Sequence, residues 1–106
     1  MHTTKSIPLG KIPSCFEQCD FTEDETVSIM SSLVQLWRFN DHPYDMTCEY
    51  INTELDLEDT MAGMLIVYSI DALMEVAAQI RALALSGKFR RYSVFLYTII
   101  VELDND

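Results

Sequence analysis

A chain of 106 residues, 49% hydrophobic and 23% charged, is long enough for one globular domain with one core and too apolar to stay disordered. Its net charge of −10 exceeds the magnitude of about 2 to 8 usual for a small domain. A field of that sign opposes nucleic acid and anionic membrane and attracts cationic partners. The longest apolar runs, 61–70 and 94–101, fall short of the roughly 20 residues that cross a bilayer, so no membrane span is expected.

The first fourteen residues, MHTTKSIPLGKIPS, are polar and interrupted by Pro8 and Pro13. They read as a flexible N-terminal arm, followed by a single globular domain over 15–106. They contain no apolar stretch of the kind a secretion signal needs. With three cysteines, an odd number, this points to a reducing, cytoplasmic setting.

Thr22-Glu23-Asp24-Glu25 is a helix start. The Thr22 hydroxyl is placed to accept from Glu25 N–H while the Glu25 carboxylate reaches back to Thr22 N–H, a capping box. Val27, Met30, Leu33, Val34 and Trp37 follow at spacings of three and four, and Asn40-Asp41-His42-Pro43 stops the helix near Phe39. Pro43 suits the first turn of a second helix, with Tyr44, Cys48, Ile51 and Leu55 on one face.

The remaining half supports two descriptions. In one, a single helix runs from Asp56 or Asp59 to Leu85 and ends at Ser86-Gly87, and a last helix carries Phe89, Tyr92, Leu96, Ile99 and Leu103 on one face. In the other, residues 64–69 are a buried strand, a helix starts at Ser69 or Asp71, and the β-branched run 92–101 is a second strand. A right-handed crossover would make those strands parallel, and two parallel strands alone leave faces and edges uncovered. The expected fold is therefore mainly α, a small compact helical domain of about four helices. The alternative is an α/β domain with a C-terminal β-α-β unit, strands near 64–69 and 92–101.

Cys15, Cys19, His42 and Cys48 comprise a conceivable Cys₃His zinc set, but His42 and Cys48 do not form a recognisable second ligand pair. Half-buried structural thiols are the better reading, and no metal or cofactor is expected. Cys48 and His42 as nucleophile and base match no established geometry. An EF-hand loop starting at Asp56 fails where Met61 stands in place of its glycine. There is no phosphate-binding glycine loop and no G-x-S-x-G or H-E-x-x-H. Nothing argues for an enzyme.

Charge is the informative feature because it is uneven. Residues 17–59 hold twelve acids against Arg38 alone, a local balance of −11, whereas 81–91 hold Arg81, Lys88, Arg90 and Arg91 and no acid. The basic stretch, though interleaved with Phe89 and Tyr92, is read as complementing a helix C-terminus and not as a direct nucleic-acid site. The expected function is that of a small non-catalytic binding protein, of inhibitor or immunity type, that neutralises or occludes a basic protein or a nucleic-acid-handling complex. Its expected contact face is Asp41, Tyr44, Asp45, Glu49, Tyr50, Glu54, Asp56, Glu58 and Asp59. Glu23, Asp24 and Glu25 are assigned to capping. The apolar segments 61–85 and 92–103 exceed what one small domain usually buries, which raises self-assembly as the alternative and a homodimer as compatible with either. A zinc-binding domain is the second alternative.

Overall fold

The computed structural model describes residues 2–56, 69–95 and 97–105. Strand β1 (His2–Pro8) leads into helix α1 (Ile12–Gln18), α2 (Glu23–Phe39) and α3 (Pro43–Glu49), which continues as a π-helical turn over Tyr50–Glu54. Helix α4 (Ile70–Leu85) and the hairpin β2 (Phe89–Phe95) and β3 (Thr98–Asp104) complete the described chain. The three strands form one antiparallel sheet in the order β1-β3-β2.

The mainly α expectation is thus overturned: helices and an antiparallel sheet share the domain. The segment 92–101 folds as two strands instead of a helix or a single strand. Tyr92 pairs with Val101, Val94 with Ile99 and Phe95 with Thr98, leaving only positions 96 and 97 between the paired ends. Parallel pairing is replaced by a hairpin, which needs no crossover. The proposed strand at 64–69 and the first part of the long helix fall on 57–68, outside the described residues. Ser69 itself lies in a turn ahead of α4.

The N-terminal residues expected as a loose arm are held in the sheet. β1 pairs with β3 along its full length, from His2 opposite Asp104 to Pro8 opposite Thr98. Ile7 opposes Ile99, and both are fully buried. Leu9, Ile12 and Phe16 follow into the same core. Pro8, which has no N–H to give, sits on an edge strand, where that loss is tolerated.

Helix α2 is the central packing element and touches α1, α3, α4 and β2. Its capping box is formed as expected: Glu25 N–H donates to Thr22 Oγ1 and Thr22 N–H donates to Glu25 Oε1, both at 3.2 Å. Met30, Leu33, Val34 and Trp37 are buried, with Ile29 in addition. Two polar contacts fix α2 over β2. The Tyr92 hydroxyl donates to Ser31 O at 3.0 Å, and Arg38 donates to Phe89 O at 3.1 Å with its guanidinium 4.2 Å from the centre of the Phe89 ring. Helix α4 ends at Ser86 and Gly87, whose φ of +74° is the left-handed geometry of a helix stop. No described helix is long and apolar enough to cross a membrane.

If β1 is integral, Ile7→Ala should cost about 2–5 kcal/mol, the usual range for emptying a buried isoleucine site. Urea unfolding measures it, and an unchanged midpoint would mean the segment is a loose arm after all. Burial raises the Tyr92 phenol above its ordinary value, an effect that nearby Arg38 opposes. As pH climbs past the unfolded tyrosine value, the unfolded chain ionises first, so this contribution to stability is present at neutral pH and is lost in alkali. Tyr92→Phe should be less stable than wild type at pH 8 through the lost hydrogen bond, and the gap should narrow above pH ~10.

Candidate protein-binding face

Two irregular helix ends place the aromatic residues that organise this face. Helix α1 closes with the hydrogen bonds of a Schellman motif: Asp20 N–H donates to Glu17 O at 3.0 Å and Phe21 N–H donates to Phe16 O at 3.2 Å. Asp20 supplies the left-handed residue, φ +64°, and Phe21 is delivered edge-on to Phe16, ring centres 5.9 Å apart. Phe21 is thereby fixed beside the start of α2.

The second irregularity is the π-helical turn. Leu55 N–H donates to Tyr50 O at 3.1 Å, a bond one residue longer than in an α-helix. Residues five apart are consequently neighbours here, so Tyr50 and Leu55 meet the flank of α2 together. The base of this helix is locked to α2 inside the core. Trp37 Nε1–H donates to Thr47 Oγ1 at 2.8 Å, and the Thr47 hydroxyl donates to Pro43 O at 2.6 Å, with Trp37 and Thr47 both fully buried.

Three surface depressions result, and they adjoin. The first, about 250 Å³, is lined by Pro13, Glu17, Phe21, Thr22, Glu23, Thr26 and Tyr97. The second, about 430 Å³, is lined by Phe21, Asp24, Glu25, Ser28, Ile29, Ser32, Tyr50 and Leu55. The third, about 130 Å³, is lined by Leu36, Met46, Glu49, Tyr50, Thr53 and Glu54. Phe21 is the wall shared by the first two, and Tyr50 the wall shared by the last two. The last two form a trough along one face of α2, with the first round the side of the helix start; the trough's floor mixes Ile29 and Leu36 with Ser28 and Ser32, and among the described residues every charged lining residue of the three is an acid.

Those acids are not neutralised within the fold. Glu17, Glu23, Asp24, Glu49 and Glu54 form no ion pair among the described residues. The bases are largely committed elsewhere. Arg81 pairs with Asp41 and donates to Arg38 O at 2.9 Å, so it serves the C-terminal end of α2, whereas the sequence suggested its own helix. Arg91 pairs with Glu102 across the hairpin, and that hydrogen bond holds the Glu102 carboxyl below its ordinary value. Arg90 lies 3.9 Å from Asp104.

The structure divides the expected contact face. Glu49, Tyr50 and Glu54 line the trough. Asp41 is occupied by Arg81, and Tyr44, Asp45 and Asp56 are exposed outside it. Glu58 and Asp59 lie outside the described residues. Glu17, Phe21, Glu23, Asp24 and Glu25 join the face although capping explained the last three. The signal that would have found them is Asp20 at a left-handed helix end, which turns Phe21 and the capping acids towards the same side. Cys15, Cys19, His42 and Cys48 are not gathered: among the described residues no three His, Cys, Asp or Glu side chains are placed to hold one metal ion. Burial, chiefly, with Cys15 and Asp20 adding to it, pushes the Cys19 thiol up, away from the thiolate a metal or a substrate would need.

Comparison with models of protein families, with curated proteins and with solved structures finds no match. The trough therefore has to be interpreted from its own chemistry.

Thr47→Val retains the shape of the residue but leaves the Trp37 indole N–H buried without an acceptor. The cost should be about 1–3 kcal/mol. Chemical denaturation followed by the fluorescence of Trp37, the single tryptophan, checks it, and a wild-type midpoint would show that the bond does not hold α3 to α2.

Proposed function

We propose that this chain is a small non-catalytic binding protein that engages a cationic protein surface, in a cytoplasmic setting, through the trough along α2. The observation that carries the reading is the composition of the lining: apolar side chains bordered by acids, with no base among the described residues. Gathering like charges on one face costs self-repulsion, and a cationic partner relieves it. The apolar residues of the lining add what charge alone does not, because buried aromatic and aliphatic contacts set how long a complex lasts while charges set how fast it forms. The π-helical turn is a further support, since such turns are rare and often occur at functional sites. A nucleic-acid-handling protein fits this description, since its phosphate-binding surface presents the required charge.

A second reading, self-association through the C-terminal half, has one observation in its favour: Leu85, Phe95 and Tyr97 are 70%, 65% and 58% exposed. Pairing of the acidic trough with the basic stretch of a second copy is disfavoured, because Arg81, Arg90 and Arg91 already have acidic neighbours in their own chain.

Affinity capture from the native host tests the proposal, using wild type and a Glu49→Gln/Glu54→Gln variant side by side. The captured protein should have a basic surface, elute as salt rises through the range where screening shortens to about 8 Å, and be lost or much reduced with the variant. Capture of a neutral or acidic protein, or equal capture by both forms, overturns the reading. If the only captured protein is this chain itself, self-association replaces it.

A further inference from the structure

The trough also constrains the shape of its occupant, an inference that rests on the cationic-partner reading above. The first depression, on Thr22, Glu23 and Thr26, lies round the start of α2 from the other two, whose lining advances along one face in chain order: Asp24 to Ser32 in the second, Leu36 in the third. That is about 20 Å of helix at about 1.5 Å per residue. Within it, Glu25, Ser28, Ile29, Ser32 and Leu36 follow the three-and-four spacing of a single helical stripe. Ser28 and Ser32 are exposed and small, so the middle of the stripe is low, and Phe21 and Tyr50 flank that low middle from the neighbouring elements. A second helix laid beside α2 approaches to the usual 8–10 Å only where the facing side chains are small.

We propose that the occupant is an amphipathic α-helix of the partner protein, about four turns long, with apolar residues at i, i+3, i+4 and i+7 and Lys or Arg on both flanks. Its apolar stripe lies over Ile29 and Leu55 between the rings of Phe21 and Tyr50. Its cations meet Asp24 at one end, with Glu23 beside it at the helix start, and Glu49 and Glu54 at the other. This is helix-in-groove recognition, in which anchors at helical spacing give specificity and the flanking charges fix the register.

The test uses a fluorescently labelled Leu/Lys peptide of about 16 residues with its leucines on one helical face, long enough to span the trough. The control has the same residues shuffled so that no helical face is apolar. Anisotropy should show the amphipathic peptide binding at least about tenfold more tightly than the control, a difference of about 1.4 kcal/mol. Its circular dichroism should gain helix on binding. Ser28→Lys/Ser32→Lys, which raises the floor at exposed positions and leaves the core intact, should abolish that preference. Ser93→Lys, at an exposed position of β2 outside the trough, should not. Equal binding of the two peptides, still lost in Glu49→Gln/Glu54→Gln, overturns the helical occupant and leaves the cationic-partner reading standing. Binding indifferent to those acids overturns both. Binding unaffected by Ser28→Lys/Ser32→Lys places the peptide elsewhere and overturns the occupant proposed here.

Discussion

Strand β3 is paired along both of its edges, and the strand on one of those edges begins a hundred residues earlier in the chain. The pairing of His2–Pro8 with Thr98–Asp104 turns a hairpin, marginal by itself in water, into a three-stranded sheet with one face to bury. It also fixes where the chain goes next. Ile7 meets Ile99, so Leu9, Ile12 and Phe16 must descend into the core beneath, and α1 arrives already anchored. Only then does the end of α1 deliver Phe21 to the flank of α2. The candidate binding face therefore depends on a long-range contact that contains none of its residues. Such a contact is expensive in loop-closure entropy and is repaid by the buried apolar pairs it brings together.

Local signals were legible wherever they were strong. The Thr22 capping box, the apolar spacing of α2 and its stop near Phe39 could all be read from adjacent residues, because each depends on groups within a turn or two. The sheet was not legible for equally physical reasons. β1 buries only Ile7 of its seven residues, so the alternation that marks a half-buried strand is missing from its sequence. In sequence, the two positions between the paired ends of β2 and β3 are Leu and Tyr, without the Gly, Asn or Asp that tight hairpin turns favour. Phe89, Tyr92, Ile99 and Leu103 happen to keep helical spacing as well, and the β-branched content that argued the other way was the better guide.

The binding face was half legible, and the missing half is instructive. Charge and proximity alone group Glu49, Tyr50 and Glu54 in the sequence, where the ordinary helical period is about 3.6 residues. The π-helical turn changes that period, bringing residues five apart into line. Glu23, Asp24 and Glu25 were set aside because a capping role explained them. Capping consumes only the Glu25 carboxylate, however, through its contact with Thr22 N–H. Favourable placement at a helix N-terminus and availability to a partner are compatible, since the helix dipole lowers the cost of holding acids together in the free protein.

That point bears on why the acids can be concentrated at all. A surface of one sign is unstable in proportion to how close its charges lie, and this fold reduces the penalty in two ways. Acids at the start of α2 sit against the positive end of a helix of four to five turns. Three acids outside the trough are compensated one at a time: Asp41 by Arg81, Glu102 by Arg91, Asp104 by Arg90. The division of labour is consistent throughout the described residues. Arginine is spent on tying helix ends and strands together, where its fixed fork suits bidentate contact, and the lysines Lys5, Lys11 and Lys88 form no ion pair there. Beside α2, Asp24, Glu49 and Glu54 have no ion-pair partner among the described residues, a condition they share with Asp20, Asp45, Asp56, Asp71 and Glu75 elsewhere on the chain; what sets them apart is the apolar side chains they border, Phe21, Leu36, Tyr50 and Leu55.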